Sequence, residues 1–235
     1  MRNSRLTISI LTLALVINCS IIAKAQKQPD DNQPIVHFDN PANEDQTDPI
    51  IREHRGKRYE RDYNEIQEPT DDIEILPKNV CFFKGYREEK ILNSEIVLIG
   101  KVVNIKAFLS KKRTTVYSEF TIKIDQILKN KGKANLQVED LITTQRWGGT
   151  VQFNSGRIQK YRINNYGYPQ LRKKYILFLD FNEQEQDYSI NTGFEVDGER
   201  LSLIDSNLDY RLLPFAQEIT FEQFNNLVDE AKIRN

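Results

Sequence analysis

The feature that most constrains this chain is a pair of neighbouring segments carrying the period of β-strands. Residues 96–105 form the longest apolar, β-branched run outside the N-terminus. In residues 116–125, alternation sets Val116, Phe120, Ile122 and Ile124 on one face and Tyr117, Glu119, Thr121 and Lys123 on the other. A period of two is that of a half-buried strand, because successive side chains point to opposite faces of a sheet. The polar stretch Ser110-Lys111-Lys112-Arg113-Thr114 between them is short enough to close an antiparallel hairpin, with the cations as a solubilising tip. Phe120 is expected in the core and Tyr117 on the wet face.

Downstream, residues 136–144 read as a third strand, which Arg146-Trp147-Gly148-Gly149 breaks with a bulge or a close backbone approach. Residues 150–153 and 157–163 flank Asn154-Ser155-Gly156, which is hairpin chemistry. Residues 175–181 are almost continuously apolar, as a strand covered on both sides would be, with Phe178 expected toward the interior. Residues 187–195 and 200–204 are joined through the turn signal Asp197-Gly198. A short helix is expected over 85–94. A C-terminal amphipathic helix is expected from Thr220, with Gln223 completing a capping box and Ile219 and Phe224 a staple. The fold class is therefore mainly β: an antiparallel, OB-like β-barrel or a sandwich, with a short N-terminal helix and a C-terminal helix.

The N-terminus differs from this body. Residues 1–25 read as a signal peptide, with Arg2 and Arg5 ahead of an apolar stretch and Ala23-Lys24-Ala25 before Gln26. A membrane anchor and a lipoprotein signal at Cys19 compete with it. Polar residues interrupt the apolar stretch, however, and Asn18 stands where a lipoprotein signal needs a small residue. Cleavage makes the protein exported, periplasmic or secreted, and not integral to a membrane. It also leaves Cys81 as the single cysteine, so no internal disulfide is available and a small buried apolar role is expected for it.

Residues 26–77 hold six of the eight prolines, and 14 acidic against 6 basic residues leave a net charge of −8. Such a segment lacks the apolar surface to offset the entropy of ordering it, so a disordered acidic arm is expected. Its basic island, from Arg52 to Arg61, reads as a solvated linker. Deleting residues 26–72 should then leave the domain's thermal midpoint almost unchanged. Residues 78–235 carry 24 basic and 20 acidic residues, a net +4, and suit one β-barrel domain.

The succession Ser94-Glu95-Ile96-Val97-Leu98-Ile99-Gly100-Lys101-Val102, then Tyr117 to Ile122, then Gln126-Ile127-Leu128-Lys129-Asn130, resembles exported bacterial β-rich domains of unknown function. So do Gly148-Gly149 and Leu177-Phe178-Leu179. The opening hairpin is also loosely similar to the OB-type barrel of tissue inhibitors of metalloproteinases and netrin modules. Those inhibitors use an N-terminal cysteine and many disulfides. Neither exists in this mature chain, so the resemblance implies a barrel and carries over no inhibitory residue.

The domain contains no histidine, since His37 and His54 both lie in the arm. A Ser-His-Asp or Cys-His system has no base there, and histidine metal sites have no ligands. No catalytic residue, metal or cofactor is assigned. Carboxylate chemistry stays open through Asp180, Glu195 and Asp205 at strand ends. The candidate ligand-binding residues are Arg146, Trp147, Tyr161, Arg162, Tyr166 and Tyr168, an aromatic platform with a cationic rim. The alternative is that Trp147 caps the core and the tyrosines pack edge strands. Net +4 is too weak for a nucleic-acid partner. The sequence thus points to a secreted or periplasmic non-catalytic binding module for an envelope or extracellular protein or glycan. A carboxylate-based hydrolase and a structural envelope component are the alternatives.

Overall fold

The computed structural model describes residues 33–39, 47–60, 64–76, 94–131, 134–163, 166–205, 218–222 and 224. In chain order the elements are β1 (Ile35–His37), α1 (Pro49–Arg58), β2 (Ile73–Ile75), β3 (Ile96–Leu109), β4 (Val116–Asn130) and β5 (Leu141–Trp147). They continue with β6 (Gly149–Gln152), β7 (Ile158–Tyr161), β8 (Lys174–Asn182), β9 (Asp187–Asp197), β10 (Arg200–Leu203) and β11 (Glu218–Thr220). Among the described residues no helix is long and apolar enough to cross a membrane.

The protein is mainly β, and β3, β4, β5, β9 and β8 close into a five-stranded barrel. All of its neighbours run antiparallel except β5 and β9, which pair in parallel at Thr144↔Tyr188 and Gln145↔Ser189. The expectation of a purely antiparallel barrel is thereby corrected to a mixed one. Parity is the reason: a closed ring with an odd number of strands cannot alternate direction throughout. The interior is filled by Leu98, Phe120, Ile122, Ile124, Leu177 and Leu179 with their neighbours. β8 is covered on both sides, as its unbroken apolar run implies. Phe178, however, faces the outer cluster with Phe194 and Phe224 and not the barrel interior. An apolar run with no alternation gives no sign of which face is which.

The second sheet has the order β1-β6-β7-β2. Its centre is the hairpin read from Asn154-Ser155-Gly156, and β1 and β2 flank that hairpin in parallel. The disordered-arm expectation is therefore corrected wherever residues 26–77 are described: they supply both edges of a sheet and a ten-residue helix. α1 starts at Asp48, whose side chain accepts from Ile50 N at 2.7 Å, with Pro49 in the first turn, where a missing N–H costs nothing.

This layer also overturns the wet-face assignment of Tyr117. Its ring is fully buried, stacked on Tyr59 at 4.7 Å and near Phe108 at 5.7 Å. Alternation finds the two faces of a strand but not whether a second layer covers the outer one. Residues 1–25, the 85–94 helix up to residue 93, and Cys81 lie outside the described residues. No C-terminal helix is among the described elements, and beyond Thr220 only residues 221, 222 and 224 are described.

Chemical denaturation should show Phe120→Ala and Tyr117→Ala each costing ~3–5 kcal/mol, because each empties a closed aromatic site. Removing residues 26–72 should lower the thermal midpoint clearly, since it strips β1 and α1 from buried side chains.

Candidate functional site

The six residues expected to form an aromatic platform converge, but mostly inside the protein. Gly148 and Gly149, at φ of 101° and 149°, turn the chain out of barrel strand β5 and into β6 of the second sheet. Side chains with a Cβ resist that conformation. Trp147 is thereby folded into the core between the sheets, only 7% exposed and edge-on to Tyr161 at 6.3 Å. Tyr168 donates its hydroxyl to the Trp147 carbonyl at 2.9 Å and occupies the space a Cβ on Gly148 would need.

Arg146 is buried. Its guanidinium donates to both Asp205 oxygens, at 2.8 and 3.0 Å, and to the Gly167 carbonyl, while the Tyr166 ring lies 3.9 Å away. Burial alone would lower the Arg146 pKa, but the Asp205 carboxylate outweighs it and the net direction is up. Arg162, nearer the surface, meets Glu74 of β2 at 3.2 Å. The open platform is thus corrected to a lock joining β5, the 166–170 loop and the end of β10. The carboxylates singled out at strand ends are engaged separately. Asp180 accepts from Asn191 at 2.9 Å, Glu195 pairs with Lys173 at 2.8 Å, and Asp205 holds Arg146.

A different constellation lies beneath α1. Arg52, Arg55 and Arg58 recur every three residues, which aligns them along one side of the helix. Below them, Glu119 of β4 stands opposite Gln145 of β5, and Gln145 stands beside Ser189 of β9. Arg52 Nη1 donates to Glu119 at 2.5 Å and to the Tyr117 hydroxyl at 2.9 Å, with its guanidinium 3.7 Å from the Phe108 ring centroid. Arg55 bridges the two acids, 3.4 Å from Glu119 and 2.9 Å from Asp187, and also donates to the Glu185 and Gln186 carbonyls. Arg58 donates to Asn182 at 2.6 Å and Ser189 at 2.5 Å, and lies 3.5 Å from Asp187. Gln145 Nε2 donates to both Glu119 and Asp187.

Burial raises the Asp187 pKa to about 7; Asn182, Arg55 and Arg58 oppose that rise, and the Glu119 charge adds to it. Sequence reasoning missed this pair because Glu119 read as an outward strand residue and Asp187 as a strand end. The available signal was the spacing of the three arginines, inside an island read as linker.

Compared with protein-family models and with curated proteins, the chain matches none. Among the described residues no group of three or more His, Cys, Asp or Glu is placed to hold a metal ion.

Iodide should fail to quench the fluorescence of Trp147, the single tryptophan. Stability should also report Asp187. Its folded pKa of about 7 exceeds its ordinary value of 3.8, so the proton binds more tightly in the folded chain. The stabilisation this gives is fully present below the unfolded pKa and is lost as pH rises through 7. Urea denaturation between pH 5 and 8 should show that decline, and Asp187→Asn should flatten it.

Proposed function

We propose that this protein is an exported, non-catalytic binding module of the OB type, acting in the periplasm or outside the cell on an envelope or extracellular protein or glycan. Export rests on the signal-like residues 1–25, and the resemblance to exported β-rich bacterial domains agrees with it. The observation that carries the reading is the strand arrangement. The β3–β4–β5 meander closes through a parallel β5–β9 pair and an antiparallel β3–β8 pair. Barrels of the OB type bind ligands on the face of their second and third strands and on the adjoining loops. Here those strands are β4 and β5, and their outer face carries Glu119 and Gln145 beside the buried aromatics Tyr117 and Trp147.

The hydrolase alternative has one observation in its favour: Glu119 and Asp187 are two acids close enough for Arg55 to touch both. Against it, both acids are buried beneath α1, and each is already held by guanidinium groups. Structural envelope use has no residue-level support.

The test is capture on the immobilised mature chain, with envelope extract and a glycan array as separate sources and heat-unfolded protein as the control. Retention of a discrete partner above the control is expected. Retention equal to the control in both sources would remove this reading. Turnover of a glycosidic substrate that Glu119→Gln abolishes would favour the hydrolase.

A further inference from the structure

A helix docked permanently on a sheet normally buries apolar side chains, because burying ion pairs gains little over well-packed hydrophobic residues. α1 does the reverse. Its buried residues are Arg55 and Gly56, while Ile50 stands 66% exposed. Beneath Arg55 and Arg58 the barrel surface is matched in kind, built from Glu119, Gln145, Asn182, Asp187 and Ser189, while Arg52 also covers the Phe108 ring. Such a surface can be wetted without penalty when uncovered; an apolar seat cannot.

The chemistry of that surface is specific to guanidinium. Arg52 is gripped by a carboxylate, a phenol oxygen and an aromatic face. Arg55 sits between two carboxylates and two backbone carbonyls. Arg58 meets an amide oxygen, a hydroxyl and a carboxylate. Planar, forked donors suit such divided acceptor sets, and a lysine ammonium does not reproduce them.

A second observation points beyond α1. Gln145 is 1% exposed, and its Oε1 has no hydrogen-bond partner. With both carboxylates ionised, turning the amide would set its oxygen against them, so the NH₂ faces the acids and Oε1 stays unmet. The socket therefore holds a buried acceptor that its resident helix leaves unmet.

We propose that the outer face of β4 and β5, with the adjoining ends of β8 and β9, is a guanidinium socket for an arginine-bearing helical segment of a partner protein, and that α1 occupies it until that partner arrives. The proposal rests on the barrel being a binding module and names the ligand chemistry of that module. A partner whose guanidinium also reaches Gln145 Oε1 gains a hydrogen bond α1 does not make, which favours exchange. The aromatic stack of Tyr59 on Tyr117 and the 2.6 Å bond from Thr115 Oγ1 to the Tyr59 carbonyl anchor the C-terminal end of α1 to the hairpin. The helix can thus leave the socket while its end stays attached.

The probe is a fluorescein-labelled peptide of residues 47–60, read by anisotropy at low salt against the full mature chain. Arg52→Gln, Arg55→Gln and Arg58→Gln together vacate the socket, and this variant should bind the peptide at least about tenfold more tightly than the wild type does. Adding Glu119→Gln and Asp187→Asn should abolish that binding. A peptide with lysine at the three arginine positions should bind at least about tenfold more weakly. A folded triple variant that fails to bind, or that binds the lysine peptide equally, overturns the proposal.

A second measurement needs no variant. Isotope-labelled arginine peptide, in excess over the wild type, should speed amide hydrogen exchange across residues 50–58, and the lysine peptide should not. Unchanged exchange overturns the proposal. Partner capture that survives Glu119→Gln with Asp187→Asn overturns the socket and leaves the binding-module reading standing. Peptide binding without any envelope or glycan capture supports the socket and counts against that reading.

Discussion

The length of the β3–β4 hairpin sets the terms for the rest of the molecule. The two strands run 14 and 15 residues, longer than β5, β8 or β9, the strands that close the ring with them. At their turn-proximal ends Ala107 and Phe108 run on past the last β3–β8 pair, Tyr117 pairs with Trp147 of β5, and these apolar side chains lie in a cluster outside the barrel interior. The hydrophobic cost of leaving them wet is what makes a second layer necessary. The N-terminal segment and the β6–β7 hairpin supply it, bringing Val36, Tyr59, Ile66, Val151 and Tyr161 onto that end. The loop at the tip is drawn in as well. Ile66 N donates to the Arg113 carbonyl at 2.8 Å, and Lys111 pairs with Glu53. A tip that composition marks as a solubilising edge is instead a docking point.

The barrel strands and the two tight hairpins were legible because their causes are local. Strict alternation in β4, the unbroken run in β8 and the turn residues around Gly156 and Gly198 each follow from the geometry of two or three neighbouring residues. Gly148-Gly149 was also correctly marked as a close approach, although its purpose, carrying the chain from one sheet to another, was not visible. The N-terminal segment was illegible for the opposite reason. Its own apolar content cannot order it, and the groups that do order it are distant in sequence: Tyr59 and Thr115 are 56 positions apart, and Arg58 and Asp187 are 129. Trp147 belongs to the same class, since an aromatic beside an arginine suits an open platform and a sealed joint equally well.

Two arginine systems divide the labour between the layers. Arg146 and Asp205 form a closed pair that also fixes Gly167 N, at 3.0 Å, and the Thr192 hydroxyl, at 2.9 Å. Breaking such a pair on one side strands a buried charge, so this joint specifies one arrangement. The three arginines of α1 form the other system, and their partners come from four different barrel strands. The first system closes a seam within the later part of the chain. The second ties the earliest described helix to it.

The parallel placement of β1 and β2 on the outer edges of the β6–β7 hairpin has a consequence for how the chain reaches its native state. A growing polypeptide releases these two strands and α1 first, yet their partners at residues 149–161 and 182–189 emerge much later. Pairings so distant in sequence form slowly, because loop closure must precede any gain from contact. The barrel meander can assemble from local hairpins while the N-terminal segment still waits, with strand edges unpaired and arginines solvated. During that interval the segment is the part of the chain most open to proteases and to wrong strand partners. Its many prolines and acidic residues, which make it a poor candidate for order by composition, also make it a poor template for aggregation while it waits.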